Sequence, residues 1–457
     1  MARKSKYDFD LIVIGSGAGG SAAATIAARE GKRVAIVEAD TFGGTSPNWG
    51  DVPIKALLHA AQLYEDAKNG ARFGLRTSTI SYNYPMLRAW KDLAVKRTGA
   101  GGNRKYYENE GVTAIQGLAH FLSPNEITVN RHTYSAESFL VATGSNPIIP
   151  DIQGLAESGY DTPRTILEAI KPPKSLYIIG GGSTAVELAQ LMAIFGTKVS
   201  IAEIAARLLP DYDSEAGESL EKLLADQKGV TVLTQTRTLA VEKENIAYRV
   251  TYSRGGSEHS LRVDQVLVAA GHTPNVDLGL ENAGVHYTAK GVSVNDFLQT
   301  TAKHIYAAGD VLGHSSYTHS ALLESRIAAN NLLSKNKLVP DYTATPKVVF
   351  SSPAIASVGL TEDDCLRRDM HIKKAYVPLH IIARSNTGDF RDGFVKLIAD
   401  KKGVVIGATI MAPGAGEMIH ELALAVKHGL TATDLAATPH AFLTWSEAIR
   451  VAATKLA

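Results

Sequence analysis

One cysteine, Cys365, stands in 457 residues. A lone thiol closes no intramolecular disulfide and builds no thiolate metal cluster. Its surroundings, "TEDDCLRRD", read as a charged surface helix carrying an incidental thiol. The 14 histidines include no H-x-x-x-H or H-E-x-x-H spacing, so no metal site is expected. Charge is equally unbiased: a net charge of +1 gives nucleic acid or an anionic membrane no electrostatic hold. No apolar run reaches the roughly 20 residues of a membrane span. No signal-peptide core precedes the first strand-like segment, so a cytoplasmic chain is expected. The "MARKSK" start reads as a frayed terminus.

What is present is an apolar fraction of 45% and a length suited to roughly three domains of about 150 residues each. Residues 10–14, "DLIVI", form a continuous apolar run of the kind a buried parallel strand shows. "GSGAGG" follows, then the alanine-rich "SAAATIAAREG" and a second strand, "RVAIVEAD". Gly15, Gly17 and Gly20 set a G-x-G-x-x-G turn, in which the first glycine makes the tight turn. The second lets a pyrophosphate approach the backbone, and the third lets the helix pack closely. Helix N-terminal amides then favour phosphate, and Glu38 ends the second strand where a carboxylate binds ribose hydroxyls.

The unit recurs. "SLYIIGGGSTAVELAQLMAIFGTKVSIAEI" repeats strand, Gly180 and Gly182, helix, strand and Glu203. Gly15 and Gly180, Gly31 and Gly196, and Glu38 and Glu203 share one interval of 165 residues. Ala185 takes the third glycine's place, which the motif tolerates. Either two dinucleotides bind or one copy is dead, and the retained glycines and acids favour two. Glu203 repels a 2′-phosphate, which favours NADH over NADPH, although Arg207, one helical turn on, is within reach to swing in. Three further apolar strands end in glycine: "SFLVATGSNPIIP" (138–150), "VLVAAGHTPN" (266–275) and "HIYAAGDV" (304–311). In the last, Asp310 lies between a strand end and a helix-like segment running to Asn330.

These motifs, with "GGT…NWG…P.K", "VVFSSPAIASVGLTE", "GFVKLIAD" and "GAGEMI", resemble the two-dinucleotide flavoprotein family over essentially the whole chain. That family includes dihydrolipoamide dehydrogenase, glutathione reductase, mercuric reductase and soluble pyridine nucleotide transhydrogenase. The resemblance implies an α/β fold with two Rossmann-like dinucleotide-binding domains and a C-terminal α+β dimerisation domain. The implied division is 1–150 (FAD, first part), 151–270 (NAD(P)H), 271–340 (FAD, second part) and 341–457 (dimerisation). It implies a homodimer with FAD in the first unit and NAD, less favourably NADP, in the second. Cofactor contacts are implied at Gly15, Gly17, Gly20, Glu38, Gly44, Thr45, Lys55, Ala119, Thr143, Gly144, Gly180, Gly182, Glu187, Glu203, Gly271, Asp310 and Thr318. Catalytic roles are implied for Lys55 paired with Glu187 beside the flavin, and for Asp51, His440 and Glu447, the last reaching a partner's pocket.

Two departures cut against that pattern. The disulfide-reducing members carry C-x-x-x-x-C where "GGTSPNWGDVPIK" (43–55) places Ser46 and Asp51. They carry H-x-H-P-T-x-S-E where "TPHAFLTWSEA" has His440 but Phe442 and Leu443 for the second histidine and proline. Thr444, Ser446 and Glu447 match. Neither a hydroxyl without a base nor a carboxylate sustains a thiol relay. His272, where arginine is usual, reads as a neutral change. The expected activity is an NAD(P)H-dependent FAD oxidoreductase passing electrons directly to a quinone, dye, metal complex, oxygen, second nicotinamide or docked protein. A soluble transhydrogenase and a flavin-binding sensor without turnover are the alternatives. Asp51 is either a proton relay, raised toward neutrality by apolar neighbours such as Trp49 and a partner's Phe442, or a cap for a helix starting near Pro53.

Overall fold

In the computed structural model, residues 6–76, 79–98, 103–227 and 229–457 are described. Of the stretch read as a frayed start, residues 1–5 lie outside them. The chain divides into two compact units. Met1–Ala56, Met86–Ile148 and Gly271–Pro340 form the first, and Leu57–Pro85, Ile149–Ala270 and Asp341–Ala457 the second.

At the centre of the first unit the strand Phe9–Ile14 runs parallel to Val34–Glu38 on one side and His132–Val141 on the other. Thr113–Gln116 and Ile305–Ala307 extend the parallel array. Leu11 to Ile14 and Val34 to Glu38 are buried without alternation, so both faces of the sheet are covered, which is why these strands read as unbroken apolar runs. The helix Ala18–Arg29 buries Gly19, Gly20, Ala23, Ala24 and Ala27. Its small side chains allow a close approach: a Cβ on Gly20 would lie 2.0 Å from the Gly15 carbonyl oxygen. An antiparallel hairpin, Ala119–Ser123 and Glu126–Val129, continues the sheet from the first part of His132–Val141.

The second unit repeats the arrangement. Ser175–Ile179 lies parallel to Lys198–Ala202 and Gln265–Val268, with Val230–Leu233 outside. A three-stranded antiparallel sheet spans Thr236–Glu244, Ala247–Arg254 and Ser257–Val263. A five-stranded antiparallel sheet runs in the spatial order Lys347–Val349, Ala354–Gly359, Val405–Ala412, Phe394–Asp400, Ile372–Pro378. The helices Ala415–His428 and Glu447–Thr454 bury Ile419, Leu422, Ile449 and Ala452 with Val395, Leu397 and Ile410 of that sheet. Each such fully buried Leu, Ile or Val contributes about 1.5–3 kcal/mol.

The charged stretch around Cys365 forms the surface helix expected, with the thiol on its one buried position. Its helix, Glu362–Arg367, forms and opens with a reciprocal Thr361–Asp364 capping box. Within it Cys365 is fully buried. No helix among the described residues is long and apolar enough to cross a membrane.

Candidate functional site

The duplication seen in sequence recurs in the backbone amides that hold each acid. In the first unit Glu38 accepts the Ser16 amide at 2.9 Å and the Asp40 amide at 2.8 Å. In the second, Glu203 accepts the Gly181 amide at 2.6 Å and the Ala205 amide at 2.7 Å. Each acid is buried and aimed by two backbone donors at the lip of its glycine turn. Gly15 and Gly180 have φ of +104° and +116°, and a Cβ on either would lie 2.1 or 2.3 Å from a carbonyl oxygen, of Ala142 or Ala269. Only glycine fits there. At Gly182 an added Cβ would meet nothing within 4 Å, so the backbone stands bare where the helix begins. Neither helix, Ala18–Arg29 or Ser183–Ile194, has a side-chain cap or an acid in its first turn. Uncapped amides and the dipole make each start an anion seat.

Around the first turn the other expected residues gather. Gly44 (φ +72°) packs so closely on the turn that its Cβ would lie 2.7 Å from the Gly17 Cα, and the Gly43 amide donates to Ser16 Oγ at 2.9 Å. Thr45 opens the short helix Thr45–Asn48. Thr143 donates to the Asn275 carbonyl at 2.7 Å, and the Asn275 amide donates to the Gly144 carbonyl at 2.9 Å. The Ile148 amide meets the Gly271 carbonyl at 2.9 Å. Ser145 donates to Asp310 at 2.8 Å. Burial pushes the Asp310 carboxyl up against the opposing pulls of Ser145 and His272, while burial pushes His272 down against the charge of Asp310. Ala119, paired with Val129, contributes its methyl to the core.

The loop from Gly43 to Lys55 ends in a cluster. Asp51 accepts from Ser46 Oγ at 2.8 Å and from Thr318 Oγ1 at 2.9 Å, and its other oxygen lies 3.2 Å from Lys55 Nζ. Burial pushes its carboxyl up, but the Lys55 charge and the Ser46 and Thr318 hydrogen bonds outweigh it and hold Asp51 below the usual carboxylate range. That bears on both readings of Asp51. The relay needs a carboxyl raised toward neutrality, whereas three polar neighbours favour its anion. The cap reading fails because the helix starts at Asp51 itself, as Asp51–Asn69, and its carboxylate spends its bonds on side chains.

In the second unit Glu187 is buried in the helix Ser183–Ile194 and accepts the Phe350 amide at 2.8 Å. His440 sits between Glu421, 2.8 Å from Nε2, and the Thr438 carbonyl, 2.8 Å from Nδ1. Glu447 begins the helix Glu447–Thr454 beside Arg450, and among the described residues its Oε2 is buried without a hydrogen-bond partner. Arg207 is not on a helix, and its guanidinium donates to Asp363 at 2.7 Å. Sequence reading missed Lys396: its ammonium, 1% exposed, lies 3.0 Å from Asp213, 2.8 Å from Glu215 and 2.8 Å from Glu362. An apolar strand context concealed the lysine, and its acids lie up to 183 residues away in sequence.

Two glycine turns with aimed acids, in one chain, are two copies of one Rossmann-like unit. The chain belongs to the pyridine nucleotide-disulphide oxidoreductase family, whose pattern matches residues 9–325, with the family's dimerisation domain at 345–453. A mercuric reductase of Staphylococcus aureus is 36% identical over 449 residues, 98% of this chain and 82% of that one. A dihydrolipoyl dehydrogenase of Thermus scotoductus is 36% identical over 453 residues, 98% and 97% of the two chains. The Cu(II) complex of RclA, an HOCl-induced flavoprotein disulfide reductase of Escherichia coli, superposes with a TM-score of 0.87 at 27% identity, covering 99% of this chain and 100% of its own. The residues present fit two dinucleotides: glycine at Gly17 and Gly182, the latter with nothing within 4 Å of an added Cβ, helix starts free of acids, and carboxylates fixed at Glu38 and Glu203.

Proposed function

We propose that this protein is an FAD-dependent NAD(P)H oxidoreductase that delivers electrons from the flavin directly to a non-disulfide acceptor. The observation that carries the reading is the Ser46–Asp51 hydrogen bond of 2.8 Å at the positions where the resemblance puts a thiol pair, in a chain whose one thiol, Cys365, is buried in a different unit. FAD would lie along the first turn, with Glu38 on a ribose and the Ala18–Arg29 helix start on its phosphates. The nicotinamide nucleotide would lie along the second, with Glu203 and the Ser183–Ile194 helix start in the same roles. Bound flavin supplies hydride acceptance and one- or two-electron release, so this chain needs only to hold donor and acceptor. Lys55 and Asp51 supply a paired cation and anion at the end of the Gly43–Lys55 loop.

NADH is the favoured donor, because Glu203 repels a 2′-phosphate and Arg207 is engaged by Asp363. The working form is a homodimer, on the strength of the matched dimerisation domain. The test is anaerobic reduction by NADH followed by rapid mixing with a quinone, ferricyanide, thio-NAD⁺, lipoamide and glutathione disulfide. Fast reoxidation by a quinone or ferricyanide, with inert disulfides, supports the proposal. Rapid transfer only to thio-NAD⁺ makes the protein a transhydrogenase, and bleaching without reoxidation by any of them makes it a sensor. Robust disulfide reduction overturns all three.

A further inference from the structure

Between Glu203 and Tyr212 the chain reads E-I-A-A-R-L-L-P-D-Y, and Arg207 is its only cation. The segment folds back over the second glycine turn. The Leu209 amide donates to the Gly181 carbonyl at 3.0 Å, with Leu209 at φ +51°. A Cβ on Gly181 would lie 2.7 Å from Leu208 Cδ2 and 2.8 Å from Glu203 Cβ. The Leu208 amide is tied to Glu221 at 2.7 Å, and both leucines are buried. Arg207 therefore leaves the backbone beside the acid that receives the ribose, and its Cδ passes over Gly217, whose Cβ would lie 3.3 Å from it. Its guanidinium nevertheless turns away, to Asp363 at 2.7 Å and the Tyr212 carbonyl at 3.4 Å.

We infer that Asp363 is a specificity-determining residue: by holding Arg207, it withholds the cation of the Glu203–Tyr212 segment from a 2′-phosphate at the second nucleotide turn. The inference rests on reading that turn as the nicotinamide-nucleotide site. Asp363 is itself rigidly placed. Its neighbour Glu362 bonds through its amide to Asp213 at 2.9 Å, and Asp364 closes the capping box with Thr361. It lies in the segment matched by the dimerisation domain, so selectivity is imposed from outside the nucleotide unit. The hold is also incomplete. Among the described residues Arg207 Nε is buried without a partner, and an unsatisfied buried donor is a cost that a phosphate ligand would remove. Exclusion of the phosphorylated nucleotide is thus twofold: Glu203 repels it and Asp363 disarms its counter-ion.

The test uses the flavin-loaded protein, with calorimetric titration of 5′-AMP and 2′,5′-ADP at low ionic strength. The variants are Asp363→Asn, Arg207→Gln and the pair together. The wild type prefers 5′-AMP. Asp363→Asn shifts the ratio of the two dissociation constants toward 2′,5′-ADP by about fivefold to tenfold, the scale of one partly exposed charge-assisted contact. The double variant returns to the wild-type ratio. Asp363→Ser carries the same expectation should Asp363→Asn fail to fold. An unchanged ratio in Asp363→Asn or Asp363→Ser overturns the inference, as does an equal shift in the Arg207→Gln background. A wild type that already prefers 2′,5′-ADP overturns the NADH reading instead, and the inference with it.

Discussion

Asp51 and Thr318 are the first residues of two helices, Asp51–Asn69 and Thr318–Leu333, and the threonine hydroxyl donates to the carboxylate at 2.9 Å. Two positive helix ends meet on one anion, which Ser46 and Lys55 also hold. An anion so placed is stabilised by both dipoles.

Asp51→Asn therefore weakens the fold at neutral pH, by about 1 kcal/mol for an exposed charged hydrogen-bond set. The folded carboxyl lies below its ordinary value, so this contribution is full above the unfolded value and is lost as pH falls through the folded one. Thermal midpoints of wild type and variant, compared from neutral to acid pH, should converge at the acid end. Quinone reoxidation should keep its pH profile between pH 6 and 8. A kinetic step near neutrality that disappears in the variant would restore Asp51 as a proton relay.

Cys365 is fully buried, and burial, then the charges of Asp364 and Asp213, push its thiol up. Iodoacetamide should leave it unmodified until the protein unfolds, because the thiolate is the reactive form. Cys365→Ala should retain turnover, and two-electron reduction should give no thiolate-to-flavin absorption band. Such a band in the wild type, lost in the variant, would mean that the thiol communicates with the flavin.

Glu203 receives two backbone amides and so keeps its carboxylate fixed for a ribose. Stopped-flow reduction should be faster with NADH than with NADPH. Glu203→Arg should shift that preference by at least about tenfold toward NADPH, the scale of replacing a repulsion with an ion pair. Bleaching of the wild type only by NADPH contradicts the assignment.

The sequence carried the nucleotide units well because their signals are local. Gly15 and Gly180 need positive φ, Glu38 ends an apolar strand and Glu203 directly follows one, and each feature falls within one strand–helix–strand unit. The hold of Thr318 on Asp51 was not legible because the two lie 267 residues apart. The burial of Cys365 was not legible because charge in a stretch of sequence does not say which face of a short helix turns inward. Lys396 was missed for both reasons, since a buried lysine is legible only once its acids are brought to it.

That lysine gives a stability prediction. Desolvation pushes Lys396 down, but hydrogen bonds to Glu215 and Glu362 and the charge of Asp213 raise it well above the ordinary lysine value. Its contribution is therefore full below the unfolded value and is lost only as pH rises through the folded one. At neutral pH Lys396→Met leaves Asp213, 1% exposed, without its cation, a loss of about 3–5 kcal/mol. The thermal midpoint should fall by several degrees. Lys396→Met together with Asp213→Asn should recover part of it. No recovery would mean that the lysine's packing, rather than its charge, is what matters.

The last prediction concerns self-association. Within the segment matched by the dimerisation domain, Phe442 is 73% exposed and Ile381 49%, and Leu443 holds a left-handed φ of +64°. A bulky residue in that region costs about 1–3 kcal/mol unless its surroundings enforce it. The buried Glu447 Oε2, four residues on, has no partner among the described residues. An exposed aromatic next to a strained leucine is what a surface covered by a second copy of this chain would present. Sedimentation equilibrium should give a dimer at micromolar concentration. Phe442→Glu, which puts a charge on that face without touching the core, should weaken association by at least about tenfold while leaving the nucleotide units folded and flavin-loaded. A wild-type monomer at micromolar concentration would refute the dimer. A dimer indifferent to Phe442→Glu would move the contact to another face of the domain.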